Sequence, residues 1–132
     1  MKKKTKKPTR TKLIKEADKL VSLYVRQKNA TPDGTVFCYT CNTPKHWKQI
    51  HCGHYVSRTF KYTRCELDNL RPQCYACNVL KKGMAHIFRQ NLVEEIGEER
   101  VRSIETRAQV LFKEKDEWIE KKIEEFRELS TS

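Results

Sequence analysis

Two Cys-x-x-Cys pairs, Cys38/Cys41 and Cys74/Cys77, carry the most specific chemistry in the sequence. Each pair turns two thiols toward one point, and two pairs brought together supply four thiolates, the closed tetrahedral set of a structural Zn2+ site. Between them lie His51-Cys52-Gly53-His54-Tyr55 and Leu67-Asp68-Asn69-Leu70, and Asn78 directly follows the last cysteine. An imidazole is neutral near pH 7 and can take a proton from water, and an amide oxygen is a hard donor for a divalent ion. Cys52 and Cys65 form no Cys-x-x-Cys with a neighbour and read as small core residues. His46 and His86 read as surface residues.

The elements that must position these groups follow from periodicity. Leu13, Ala17, Leu20, Val21 and Tyr24 recur at helical spacing, which predicts an amphipathic helix over about 11–28 that packs on the metal region. Thr31-Pro32-Asp33-Gly34 is a turn signal that ends it. Residues 46–56 read as one strand with a bulge at Gly53, 65–73 as its return strand, and 74–82 as a short helix leaving the second knuckle. Ile87, Leu92, Val93 and Ile96 predict a further helix stopped by Gly97. Val101, Ile104, Ala108, Leu111, Trp118, Ile119, Ile123 and Phe126 predict one long helix over 98–129, or two joined near 113–116. The fold class is therefore α+β: a basic tail (1–9), an N-terminal helix (10–29), a zinc-stapled core (30–97) and a C-terminal helical extension (98–132).

Composition and charge narrow the partners. With 132 residues, 37% hydrophobic and 34% charged, the chain can bury only a small core, a deficit that a metal staple offsets. The start, Met1-Lys2-Lys3-Lys4-Thr5-Lys6-Lys7, is unlike a secretory signal, so the six cysteines are expected to be metal-binding or free thiols in a reducing, intracellular compartment rather than disulfides. No apolar run reaches membrane-spanning length. Residues 1–89 hold 20 of the 28 Lys and Arg but 5 of the 17 Asp and Glu. The excess coincides with the cysteine region, which points to a polyanion, most simply nucleic acid. Arg58, Lys61, Arg64, Arg71, Lys81 and Lys82 are the candidate phosphate contacts, and Phe60 and Tyr62 interleave with the first of them as candidate stacking or packing rings.

A zinc-closed strand-turn-strand-helix with a histidine on its first strand, an asparagine before the second and an amide at the helix start resembles the HNH nucleases. His54, Asn69 and Asn78 carry that resemblance. The wider run of Cys38-x-x-Cys41, Gly53-His54-Tyr55, Arg64, Asn69, Gln73-Cys74-x-x-Cys77-Asn78, Lys81 and Gly83, continued through Phe88-Arg89, Leu92 and Ile96-Gly97, resembles the lambdoid phage NinG (Rap) family. That resemblance implies a ββα-metal fold and a phage-encoded recombination endonuclease in the cytoplasm of a bacterial host, cutting branched DNA such as Holliday junctions and D-loops. His54 would be the general base and Asn69 would orient its loop. Asn78 would ligate a catalytic divalent ion, Mg2+ or Mn2+. Many HNH enzymes have an Asp or His immediately before the base, where this chain has Gly53. The phage lambda family member has an Asp three residues before the histidine, where this chain has His51. His51 is therefore the candidate to complete the ligand set, and Asp68 a second.

Two other classes stay open on the sequence. A zinc-stapled module could bind nucleic acid on the same basic surface without cutting it, and an HNH homing or restriction-type enzyme would cut duplex at a defined sequence. A nuclease making paired incisions is expected to work as a homodimer, and the C-terminal helical region offers the surplus apolar residues for its seam.

Overall fold

Leu13, Ala17, Val21 and Val25 recur every fourth residue and form the buried stripe of α1 (Arg10–Lys28). Thr9 caps its start by accepting a hydrogen bond from Lys12 N, 3.3 Å. The computed structural model describes residues 8–57, 64–109 and 116–131. After the turn at Thr31–Gly34, β1 (Thr35–Phe37) pairs antiparallel with β2 (Pro44–His46), enclosing the first cysteine pair. A second antiparallel hairpin joins β3 (His51–His54) to β4 (Leu70–Gln73). A five-residue π-helical turn, Ala76–Leu80, follows, then α2 (Ala85–Ile96), α3 (Glu98–Ala108) and α4 (Asp116–Thr131).

The long strand expected over 46–56 is interrupted. Gln49 N and Ile50 N both bond back to the His46 carbonyl, at 2.9 and 3.1 Å, so the chain turns there and restarts as β3. The expected bulge is absent, because Gly53 lies opposite Arg71 in unbroken register. The return strand is also shorter than expected, since Leu67–Asn69 close a 3-10 turn, with Asn69 N bonded to Glu66 O at 2.9 Å. His46 is more than a surface residue: its ring covers Gly34, whose φ of +86° the turn requires and where any Cβ would strike the imidazole.

Apolar packing holds these pieces together. Val21, Val25, Cys65, Leu70 and Phe126 form the main cluster, continued by Leu13, Ala17, Ile119 and Ile123 between α1 and α4. The apolar stripe of α4 is thus covered by α1 of the same chain. Phe88, Leu92 and Val101 form a second cluster, on which Tyr39 and Tyr55 pack. Gly97, at φ +91°, separates α2 from α3 as the sequence predicts. The expected junction near 113–116 falls mostly outside the described residues; α3 ends at Ala108 and α4 begins at Asp116. Among the described residues no helix is long and apolar enough to cross a membrane.

Candidate metal centre and active site

Cys38, Cys41, Cys74 and Cys77 converge with their four sulfurs within 4.8 Å of one another. Zn–S bonds of about 2.3 Å set tetrahedrally require S···S edges of about 3.8 Å, and Cys41 Sγ and Cys74 Sγ lie 3.6 Å apart. The donor set and its size fit Zn2+. Backbone geometry holds the sulfurs there: Cys38 N bonds Thr43 O at 2.9 Å, and Asn42, at φ +64°, returns its N–H to Cys38 O at 2.8 Å. Burial opposes ionisation of Cys38, but bonds from the Thr40 hydroxyl and the backbone amides of Cys74, Thr40 and Cys41 outweigh it and bring the thiol down to about 6. Burial pushes Cys77 up to about 12. Crowded thiols cannot all ionise without a cation among them, and a dication at the centre removes that conflict.

The second hairpin places the histidines beside this staple. His54 ends β3 with its Nε2 3.3 Å from the Arg64 carbonyl. A carbonyl only accepts, so Nε2 carries the proton of the neutral ring and the lone pair is on Nδ1. Asn69, fully buried, donates from Nδ2 to Val56 O at 3.0 Å and accepts at Oδ1 from Val56 N at 2.7 Å, while its carbonyl takes Tyr55 N at 2.9 Å. The two residues after His54 are therefore clamped from the 3-10 turn that leads into β4. Tyr55 adds an anchor: its ring meets Phe88, centroids 5.8 Å apart, and its hydroxyl donates to Glu105, which Arg89 also holds at 2.9 Å.

The π-helical turn brings Asn78 to the same place, with its Nδ2 donating to His51 Nδ1 at 3.1 Å. With Nδ1 occupied as acceptor, a neutral His51 carries its proton on Nε2, so in this arrangement it orients the Asn78 amide. His54 and Asn78 both line two adjoining clefts. One, about 400 Å³, is completed by Tyr55, Ser57, Lys82 and Gly83. The other, about 230 Å³, is completed by Asp18, Ser22, His51 and Arg64. Asp18 escaped the sequence reading; it comes from α1 and pairs with Arg64, Oδ2 to Nη2 2.7 Å. Its only signal is a carboxylate on the helix face adjoining the buried Ala17 and Val21.

Gly53 has a steric explanation. The Gln73 side chain lies across it, and a Cβ at Gly53 would sit 2.0 Å from Gln73 Oε1. Gln73 is fully buried and donates from Nε2 to Thr40 Oγ1 at 3.1 Å and to Gly83 O at 2.9 Å. Thr40 Oγ1 in turn lies 3.5 Å from Cys38 Sγ. One amide thus ties the thiol cluster, the histidine strand and the chain beyond the π-helical turn together. No side chain other than glycine leaves room for it.

The remaining predicted residues divide. Lys81 and Lys82 are exposed; Lys82 lines the larger cleft and Arg64 the smaller. Arg71 is committed elsewhere: its Nη1 donates to Leu67 O and Leu70 O, both at 2.7 Å, and its Nε and Nη2 grip Glu95 at 3.1 and 2.9 Å. Its guanidinium also lies over the Tyr39 ring, 5.4 Å from the centroid. It braces α2 against the first knuckle. Asp68 is held by Arg100, at 3.0 and 2.5 Å, and stands outside the His51–Asn78 cluster. Burial pushes Cys52 up to about 12, so it remains a thiol, packed on the cluster that contains Cys65. Arg58, Lys61, Phe60 and Tyr62 lie outside the described residues.

No solved structure matches the chain. Proteins named ninG from Escherichia phage 933W, Enterobacteria phage VT2-Sa and Escherichia phage lambda are each 31% identical to it over 94 residues. Those alignments cover 70% of this chain and 44% of each relative, so the chain spans less than half their length. The family profile described as Bacteriophage Lambda NinG protein matches residues 1–130, and the chain belongs to that family.

Proposed function

We propose that the chain is a metal-dependent DNA endonuclease of phage recombination that hydrolyses phosphodiesters in branched DNA, on a ββα-metal core of the HNH type. The observation that carries this reading is the meeting of Asn78 and His51 at 3.1 Å beside His54, in clefts adjoining the four-thiol staple. A pure binding module has no use for an oriented imidazole and an oriented amide at one point of a basic surface.

Each residue then has a physical task. The Arg64 carbonyl holds the His54 ring in the tautomer whose Nδ1 accepts the proton of the attacking water. Asn69 fixes the loop that carries His54, by its two bonds to Val56. His51 takes the Asn78 amide hydrogen, which turns Asn78 Oδ1 away from it as a hard oxygen donor. Asn78 Oδ1 fits Mg2+ or Mn2+, and a His51 nitrogen would join it only after giving up the amide bond. When bound, such an ion polarises the phosphate and eases departure of the leaving oxygen. Arg64, Lys81 and Lys82 attract and position the phosphate backbone. Four thiolates and Zn2+ keep the π-helical turn against the hairpin and take no part in the reaction.

The test is incubation of the purified protein with an end-labelled four-way junction and its matched linear duplex, in Mg2+ or Mn2+. The expected result is cutting that follows the branch, reduced by about 10²-fold or more in His54→Ala. Binding without cutting, the same for wild type and His54→Ala, would identify a binding module instead. Cutting of linear duplex at one sequence would identify a homing or restriction-type enzyme.

A further inference from the structure

Among the described residues, five large hydrophobic side chains are exposed, and three of them, Tyr75, Val79 and Leu80, fall within six consecutive positions at the π-helical turn. Leu80 is 66% exposed and Tyr75 54%. Lys81 N bonds Ala76 O at 2.8 Å, five residues back, which is the π-type repeat. That repeat sets Tyr75 and Leu80, also five apart, on one outer face with Val79 beside them. Asn78, between them in sequence, faces His51 instead. Tyr75 itself stands edge-on to the His51 ring, centroids 5.8 Å apart. The next two residues are the exposed Lys81 and Lys82.

We propose that Tyr75, Val79 and Leu80 form an apolar wedge that inserts against unstacked bases at a DNA branch while Lys81 and Lys82 hold the flanking phosphates. This deepens the nuclease reading and names what selects its substrate. Exposed apolar bulk is costly in water, and Tyr75 sets it beside His51, which lines the smaller cleft with His54 and Asn78, so DNA filling that cleft gives it a partner. The adjoining cations select a polyanion. Three side chains on one turn are far smaller than the roughly 800 Å² per partner of a stable protein interface, but they match the opening between two base steps. Intact duplex offers stacked bases and no such opening without unstacking, whereas a branch point has already lost that stacking. The wedge therefore favours branched over linear DNA without reading any base edge.

The experiment uses the full chain in a His54→Ala background, so that binding is read without cutting and without a chelator that would strip zinc. The probes are a synthetic four-way junction with 2-aminopurine beside the branch and a linear duplex with 2-aminopurine at the matching step. Tyr75→Ala combined with Leu80→Ala is expected to weaken junction binding roughly tenfold, leave duplex binding unchanged and abolish the rise in 2-aminopurine fluorescence. Leu80→Met, which keeps the apolar bulk, retains both. Lys81→Ala with Lys82→Ala weakens binding to both probes alike. Because the wedge positions are exposed, zinc content and circular dichroism stay at wild-type values. Equal loss on junction and duplex, or an undiminished fluorescence rise in the double variant, overturns the wedge. Neither result depends on cleavage, so failure of the nuclease reading in the cutting assay remains distinguishable from failure of the wedge.

Discussion

The thiol cluster and the His54–Asn78 cleft lie side by side, yet they are built in opposite ways. Each half of the cluster is local: two cysteines three residues apart, turned inward by their own backbone hydrogen bonds. Only one long-range step, bringing residue 74 to residue 41, completes it. The cleft has no local half. His54 depends on a carbonyl ten residues away, its loop depends on Asn69 across the hairpin, and Asn78 reaches His51 over 27 positions. A metal-ligand set can be written as a repeated short spacing because an ion can supply the joining energy; a cleft lined by residues of separate elements must be assembled by the fold.

That contrast can be broken or sharpened by substitution. The largest effect is expected from Cys74→Ser, which leaves an incomplete ligand set: zinc content falls and the central region loses its ordered structure, read by metal analysis and circular dichroism. His54→Ala, by contrast, is expected to retain zinc and thermal midpoint while activity falls as described above. If both variants lose zinc alike, the two regions are one unit and the division fails.

Gly53→Ala comes next. The new Cβ would overlap the buried Gln73 Oε1, and a destabilisation of about 1–3 kcal/mol is expected in denaturant titration. In a Gln73→Ala background the same substitution should cost much less, a double-mutant coupling that a purely local glycine effect would not produce. This tests the link that Gln73 makes between cluster and cleft.

The smallest effect concerns pH. Hydrogen bonding from Arg89 holds the Glu105 carboxyl below its ordinary value of 4.5; burial opposes this and the Tyr55 hydroxyl reinforces it. A carboxylate lowered by folding contributes stability that is fully present above its unfolded value and is lost as pH falls through the lowered one. Glu105→Gln should therefore lower thermal stability slightly above about pH 4.5 and converge with the wild type as pH falls, so that the acid limb is flatter. An acid limb of undiminished slope would remove Glu105 as a contributor.

Much of the molecule can be read from adjacent residues. The helices announced themselves because burial follows a 3.6-residue period, and Gly97 and the Thr31–Gly34 turn because few residues tolerate those backbone angles. The grip of Arg71 on Glu95 and Tyr39 is hidden for the converse reason: a guanidinium looks the same in sequence whether it faces solvent or holds a carboxylate and a ring. The strand over 46–56 was overextended because β-favouring residues do not reveal that a carbonyl will close a turn at His46.

What the sequence by itself determined is the zinc-ready thiol set, the α+β class and the family, all of which rest on residue type and short spacing. Tertiary structure alone decided that Asp18 of α1 enters the cleft, that α1 packs on the stripe of α4, and that Gln73 is the reason for Gly53. Those facts depend on which distant surfaces meet, and a meeting between residues 20 or more apart leaves no period in the chain that makes it.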